Sequence, residues 1–268
     1  MTSKLIKVAI SGACGRMGSE VARAVVTTDG REMVAAIDIN NVGKDIGEVV
    51  LGKELGIKIE SDLKTAIKDD AIDVVVDFTD PNSVFNNAKL ILEAGARPVI
   101  GTTGLTETQI SELKELSKRK NIGGLIAPNF TTGAVLMMMF AKMAAKYFDN
   151  AEIIEFHHNQ KKDAPSGTAV KTAQMMAEAK EKFGLDNIPE TEFIKGARGG
   201  NGPSDIKIHS VRLPGYVASQ EILFGSVGQI LKIRHDSIDR KCYMPGVLMA
   251  IRYVTDNNEF IYGLENIL

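Results

Sequence analysis

Residues 152–168, Glu-Ile-Ile-Glu-Phe-His-His-Asn-Gln-Lys-Lys-Asp-Ala-Pro-Ser-Gly-Thr, bring histidines, lysines and carboxylates close together in the chain. Two of the four histidines, His157 and His158, stand side by side after Ile153-Ile154, an apolar pair that reads as a strand. Lys161 and Lys162 follow, and Ser166-Gly167-Thr168 opens a helical pattern. A histidine titrates at about 6.5 when unperturbed, so it can give or take a proton near neutral pH. Lysines add positive charge, and the free N–H groups at a helix start can receive an anion. Together these residues describe a site that binds an anionic substrate and moves a proton. Lys162 reads equally well as a solvated lysine, and Ser166 as a plain N-cap.

Such a site needs a reaction partner, and the N-terminal segment supplies a candidate. Lys7-Val8-Ala9-Ile10-Ser11 reads as a buried strand and is followed at once by Gly12-Ala13-Cys14-Gly15-Arg16-Met17-Gly18. A helical pattern runs from Ser19 to Thr27, with Val21, Ala24 and Val25 on one face. Strand, glycine turn and helix form the phosphate-binding start of a dinucleotide fold: the glycines let the backbone approach a pyrophosphate, and the helix N-terminus meets its charge. Met33-Val34-Ala35-Ala36-Ile37 is the next strand, and Asp38 at its end stands twenty residues beyond Gly18. An acid there accepts hydrogen bonds from ribose hydroxyls. Ile39-Asn40-Asn41 brings no arginine for a 2′-phosphate, although Arg16 is a cation within the turn. The expectation is NADH in preference to NADPH.

The elements that must hold these groups follow from periodicity. Continuous apolar strands at 72–79, 98–100 and 122–127 alternate with helical patterns at 83–94 and 107–119. This alternation predicts a doubly wound parallel sheet. Ligands of such sheets lie beyond the C-terminal strand ends. Phe78-Thr79, Gly101-Thr102-Thr103 and Ala127-Pro128-Asn129-Phe130 lie there, with Gly12–Gly18 and Asp38. Residues 41–70 read as polar and glycine-containing, with one short helix at 63–67. A long helix from Ala134 to about Phe148 precedes the histidine stretch, and another runs from Gly167 to about Phe183. Residues 184–205 read as loop. From Ile206 the pattern becomes strictly alternating, which predicts antiparallel strands buried on one face. The fold class is therefore α/β, a Rossmann-like parallel sheet plus an α+β domain with a mixed or antiparallel sheet. The expected domains are 1–130, joined by 240–268, for the dinucleotide, and 131–239 for the substrate.

Composition narrows the function classes. A chain of 268 residues accommodates two domains. It is 44% hydrophobic and 25% charged, and its formal charge of −2 leaves no basic excess to attract nucleic acid or a membrane surface. Two cysteines, Cys14 and Cys242, are too few for a disulfide framework, and no His/Cys/Asp/Glu spacing suggests a metal. The N-terminus lacks the apolar core of a signal peptide, and the apolar stretch 133–145 is too short to span a bilayer. The expectation is a soluble cytoplasmic protein. His209 and His235 read as surface or interface residues, and Met137-Met138-Met139 as packing.

In this order the motifs resemble those of the 4-hydroxy-tetrahydrodipicolinate reductase (dihydrodipicolinate reductase) family over essentially the whole chain. Glu155 to Thr168 resembles its E-x-H-H-x-x-K-x-D-A-P-S-G-T signature at every fixed position. The segments Gly12–Gly18, Asp77-Phe78-Thr79, Gly101-Thr102-Thr103-Gly104 and Ala127-Pro128-Asn129-Phe130 resemble its cofactor-side motifs in the same order. The resemblance implies NAD(P)H-dependent reduction of a dicarboxylate, 4-hydroxy-tetrahydrodipicolinate, in lysine and diaminopimelate biosynthesis. It implies His157 as proton donor or acceptor and Lys161 as a second donor. His158 would bind substrate, Gly167 and Thr168 would hold a carboxylate, and the second domain's sheet would build a homotetramer. One stretch departs: Ala218-Ser219-Gln220-Glu221 stands where many members have Gly-Glu-His-Thr.

Two other readings compete. A different NAD-dependent dehydrogenase on this plan would need a cysteine nucleophile in a strand-to-helix turn, or a lone lysine after a strand. Neither Cys14 nor Cys242 is so placed. A non-enzymatic NAD(H)-binding sensor would carry a basic DNA-binding segment or an empty second site, and the sequence has neither.

Overall fold

The computed structural model describes residues 5–67, 72–184, 189 and 191–268. The chain divides into two compact units, Met1–Thr131 with Tyr243–Leu268, and Thr132–Cys242. The first unit opens with β1 Ile6–Ser11, α1 Arg16–Thr27, β2 Arg31–Ile37, α2 Ile46–Leu51, β3 Ile59–Glu60 and α3 Leu63–Ala66. It continues with β4 Val74–Asp77, α4 Val84–Glu93, β5 Arg97–Ile100, α5 Glu107–Lys120 and β6 Gly124–Ile126. The second unit holds α6 Thr132–Ala145, β7 Asn150–His157, α7 Gly167–Ala179, β8 Gly200–Asn201, β9 Lys207–Arg212, β10 Ala218–Ser226 and β11 Gln229–Ser237. The chain then adds α8 Met244–Asp256 and β12 Phe260–Tyr262 to the first unit.

The first unit is the expected doubly wound sheet. Its seven strands run in the order β12-β6-β5-β4-β1-β2-β3, with parallel pairing throughout. Val8, Ala9 and Ile10 of β1 and Val74, Val75 and Val76 of β4 are fully buried, as a sheet covered on both faces requires. Ala9, Ile37 and Val75 pack with Leu63 and Ala66 of α3 and Ile91 of α4. Ile100, Ile126 and Phe260 pack with Val84, Ala88 and Leu92 of α4 and Leu113 and Leu116 of α5. Helix α8 packs on β4, β5, β6 and α1. The strand order reverses at β1, between β2 and β4, which opens the crevice where doubly wound folds bind ligands.

One helix boundary needs correction, and one polar segment gains detail. Helix α1 starts at Arg16, three residues before Ser19, because Gly15 takes the N-cap position with extended backbone. The segment 41–67 is more ordered than its polarity suggests. The Asp45 carboxylate caps α2 through the N–H groups of Gly47 (2.7 Å) and Glu48 (3.2 Å). It also accepts from Leu55 (3.0 Å) and Ile57 (2.9 Å), closing the loop behind the helix.

The second unit is a five-stranded sheet of order β11-β10-β7-β9-β8. β10 is antiparallel to both β7 and β11. The sheet is thus mixed, as the expected fold class allowed: of the strands read as antiparallel, β9 pairs antiparallel with β8 but parallel with β7. Alternating hydrophobicity reports that one face is buried but not the direction of the neighbour. The link from β7 to β9 passes through α7, and a helical crossover returns a strand parallel to the first. The buried face carries Ala151, Ile153, Ile208, Ile222 and Phe224, packed beneath α6 and α7. Glu155 shares that face and is completely buried. The helices end at Ala145 and Ala179, earlier than expected, and part of the 184–205 loop (185–188 and 190) lies outside the described residues.

Candidate active site

The dinucleotide candidates line the C-terminal rim of the first sheet. Gly12 continues β1 in the left-handed region (φ 78°) and donates to Ile37 O at 2.8 Å, joined by Ala13 N–H at 3.1 Å. A Cβ added to Gly12 would lie 2.4 Å from Phe78 O, and one on Gly18 would lie 2.0 Å from Gly12 O. Both positions therefore require glycine. Gly15 N–H closes the turn onto Gly12 O at 3.0 Å, and α1 begins without a side-chain cap. Its first N–H groups, on Arg16 and Met17, thus open the helix at an exposed corner, where an anion is stabilised. These residues fit a dinucleotide.

Asp38 is buried at the end of β2, and its carboxylate is already engaged. It accepts from Cys14 N–H at 2.8 Å on one oxygen, and from Asn40 N–H at 2.8 Å and Asn40 Nδ2 at 3.1 Å on the other. It therefore ties the glycine turn to β2, with lone-pair capacity remaining for a hydroxyl donor. Burial pushes the Cys14 thiol up, and the Asp38 charge adds to the effect.

Asp77, fully buried at the end of β4, organises the next two strand ends. It accepts from Thr79 Oγ1 (2.8 Å), Thr102 Oγ1 (2.8 Å) and Asn87 Nδ2 (2.8 Å). Gly101 lets the Phe78 ring approach: a Cβ there would sit 2.1 Å from the ring. Phe78 also packs on Phe130, with ring centroids 5.9 Å apart. Thr103 and Pro128 are exposed, Ala127 is buried and bonds Ile100 O, and Asn129 Oδ1 accepts from Thr131 N–H at 2.8 Å. Asp77 was quoted within a motif, but its part in tying these strand ends together shows only in the fold.

The proton-transfer candidates gather at the end of β7 in the second unit. Glu155 Oε2 lies 2.5 Å from His157 Nδ1. The guanidinium of Arg212 on β9 grips the same carboxylate with both nitrogens, at 2.8 Å and 2.7 Å. Ser166 N–H adds a bond to Glu155 Oε1 at 3.2 Å. Burial alone would raise this carboxyl, but hydrogen bonds from His157, Arg212 and Ser210 outweigh it and hold the acid at about 2. An ionised carboxylate only accepts, so His157 Nδ1 is the donor and Nε2 remains for a substrate.

The loop after β7 carries the remaining groups. Lys161 Nζ contacts both oxygens of Asp163 at 2.8 Å and 2.7 Å, while Lys162 is exposed. His158 Nδ1 is buried without a hydrogen-bond partner, a feature that suits a ligand contact. Ser166 caps α7 through Ala169 N–H at 3.2 Å, so its N-cap role is real. Nothing lies within 4 Å of where a Cβ on Gly167 would be, so the start of α7 is open. Thr168 O accepts from Thr172 Oγ1 at 2.7 Å, and Thr172 in turn accepts from Gln220 Nε2 at 2.8 Å. His209 pairs with Glu152 at 2.8 Å, and the His235 ring lies against Gly133, away from these groups in sequence and bonding. Among the described residues no cluster of three or more His, Cys, Asp or Glu could hold a metal ion, and no helix is long and apolar enough to cross a membrane.

Arg212 is the residue that sequence reading missed. It stands 57 positions beyond Glu155, and only the parallel pairing of β9 with β7 brings it close.

Comparison with known proteins gives one consistent result. The family profile described as "Dihydrodipicolinate reductase, N-terminus" matches residues 6–130, and "Dihydrodipicolinate reductase, C-terminus" matches residues 133–268. A protein of Synechocystis sp. named 4-hydroxy-tetrahydrodipicolinate reductase is 50% identical over 270 residues, covering 98% of each chain. One of the same name from Listeria innocua is 52% identical, covering 98% of this chain and 100% of its own. A solved structure titled "Dipicolinate bound Dihydrodipicolinate reductase", from Paenisporosarcina sp., superposes with a TM-score of 0.88 at 45% identity, covering 98% of this chain and 100% of that one. An amine dehydrogenase from Mycobacterium smegmatis, at 15% identity and TM-score 0.70, shares the fold alone.

Proposed function

The chain belongs to the dihydrodipicolinate reductase family, and on that premise we propose that it catalyses NAD(P)H-dependent reduction of 4-hydroxy-tetrahydrodipicolinate to tetrahydrodipicolinate in lysine and diaminopimelate biosynthesis. The observation that carries the reading is the buried, ionised Glu155 bonded to His157 Nδ1, beside a lysine-bearing loop and an open helix start. The conversion adds one hydride and one proton to the substrate and releases its hydroxyl as water. The reduced nicotinamide, when bound, supplies the hydride.

His157 gives its proton from Nε2, because Glu155 retains Nδ1. Lys161 is the second proton donor. Its ion pair with Asp163 is partly exposed, with 20% and 64% of the two side chains accessible. Pairs of this kind contribute about 0–1 kcal/mol, so an incoming dicarboxylate can displace Asp163. His158 contacts substrate through its otherwise unsatisfied ring, and Gly167 and Thr168 offer their N–H groups to a carboxylate at the start of α7. A dicarboxylate is also what the dipicolinate-bound relative carries by its title.

We propose NADH as the preferred cofactor, since Asp38 presents a carboxylate where a 2′-phosphate would have to sit. Arg16, exposed at the start of α1, supports tolerance of NADPH. The site in the second unit is the substrate site, and its sheet builds a homotetramer. Cys14 and Cys242, present as thiols and not as a disulfide, suit action in the cytoplasm. The test mixes the chain with the freshly generated condensation product of pyruvate and aspartate semialdehyde and follows loss of NADH or NADPH absorbance. Oxidation that depends on that product, faster with NADH, is expected; no oxidation with either cofactor overturns the reading.

A further inference from the structure

We propose that Arg212 is a positioning residue for His157, acting through the carboxylate of Glu155, a role that rests on the proton-transfer reading of this site. Glu155 is fully buried on the apolar face of its sheet, where an uncompensated charge would not persist. Arg212 meets it with two parallel N–H···O bonds of 2.8 Å and 2.7 Å, which fix the plane of the carboxylate as well as its charge. Glu155 Oε2 thereby accepts from Arg212 and from His157 Nδ1 at once. The same guanidinium donates from Nη2 to Asp163 O at 2.8 Å, so one side chain anchors both the imidazole and the loop that carries Lys161.

The groups around His157 leave Arg212 as the balancing charge. On β7 there is Glu155 itself; on β9, in register with it, there is neutral Ser210. On β10 the residue in register is Gln220, whose amide donates to Thr172. The first turn of α7, Gly167 to Val170, carries no charge, and the loop between β7 and α7 contributes His158, Lys161, Lys162 and Asp163. Without Arg212 the imidazolium would face an unbalanced carboxylate, and its proton would be held more tightly. Without the Glu155 charge the opposite would follow.

The test measures kcat against pH for the wild type, Arg212→Met, Arg212→Lys and Glu155→Gln, alongside imidazole nitrogen NMR. With only four histidines the spectrum is assignable. Arg212→Met is expected to lower kcat by roughly 10²-fold with KM for NADH unchanged, because misplacing a reacting group has that scale of effect. Its alkaline limb moves to higher pH, and that of Glu155→Gln to lower pH. Arg212→Lys returns the limb to its wild-type position but recovers only part of kcat, because the bidentate geometry is gone. Limbs that stay fixed in Arg212→Met and Glu155→Gln, or that move the same way in both, overturn the proposal. If Arg212→Met does not fold, Glu155→Gln still tests the shift of the limb, and Arg212→Lys tests the geometry through kcat and the NMR. The NMR needs no turnover: Arg212→Lys should mix the Nδ1–H form of His157 with the other tautomer, and wild-type nitrogen shifts in that variant refute the positioning role. A wild type without reductase activity would instead sink the functional reading.

Discussion

Lys161 and Glu155 show what single residues contribute and how differently the two are exposed to sequence reading. Lys161 stood out as a candidate because it lies four positions from His157 in a stretch crowded with cations and opening a helix, while its role as proton donor is an implication of the family resemblance. Lys161→Ala should lower kcat by about 10²–10⁴-fold, the usual worth of a positioned proton donor, while NADH titrates as in the wild type. Turnover like the wild type's would remove Lys161 from the chemistry. Glu155 was quoted within a motif but its role was invisible, since its partners come from residues 157, 166 and 212 and only the fold assembles them. Its acid lies at about 2 against an ordinary 4.5, a depressed carboxyl. The stability it contributes is therefore fully present above about pH 4.5 and is lost as pH falls toward 2. That contribution is on the order of 1–3 kcal/mol. Urea denaturation across this window should show a steeper loss for the wild type than for Glu155→Gln. Equal slopes would mean that the buried pair is not what acid breaks.

At the scale of elements, the parallel sheet was readable because its strands are continuous apolar runs separated by amphipathic helices. What escaped was short or directional. Helix α2 is six residues long and depends on one side chain, Asp45, for its cap and the loop behind it. The direction of β9 followed from the crossover through α7, which alternation cannot encode. The glycine turn sits at the legible end of this range, because its spacing is a steric necessity. Gly18→Ala drives a methyl group to 2.0 Å from Gly12 O, so the turn must open. Overpacking of this kind costs about 1–3 kcal/mol, and the distortion falls on the segment proposed to meet the cofactor. NADH binding, followed by fluorescence, should weaken roughly 10- to 100-fold with circular dichroism unchanged. Unaltered affinity would show that the pyrophosphate is held elsewhere.

For the molecule as a whole, assembly was an implication of family resemblance, and periodicity had no part in it: alternation gives a strand one buried and one open face, without saying what covers the open one. The second unit leaves that question visible. Val227 is fully exposed at the β10–β11 turn, and Ile230 and Leu231 on β11 are 72% and 37% exposed. Exposed apolar side chains along a sheet edge can mark an interface between chains. A homotetramer built there would remove them from water, at about 25 cal/mol for each Å² of apolar surface covered. Two aspartates, Val227→Asp with Ile230→Asp, would place charges inside that contact while leaving the residues beneath α6 and α7 untouched. Light scattering should report four chain masses for the wild type and a smaller species for the double variant, with its secondary structure retained. A wild-type protein that scatters as a single chain would rule the tetramer out, and a double variant still at four chain masses would move the interface to another face.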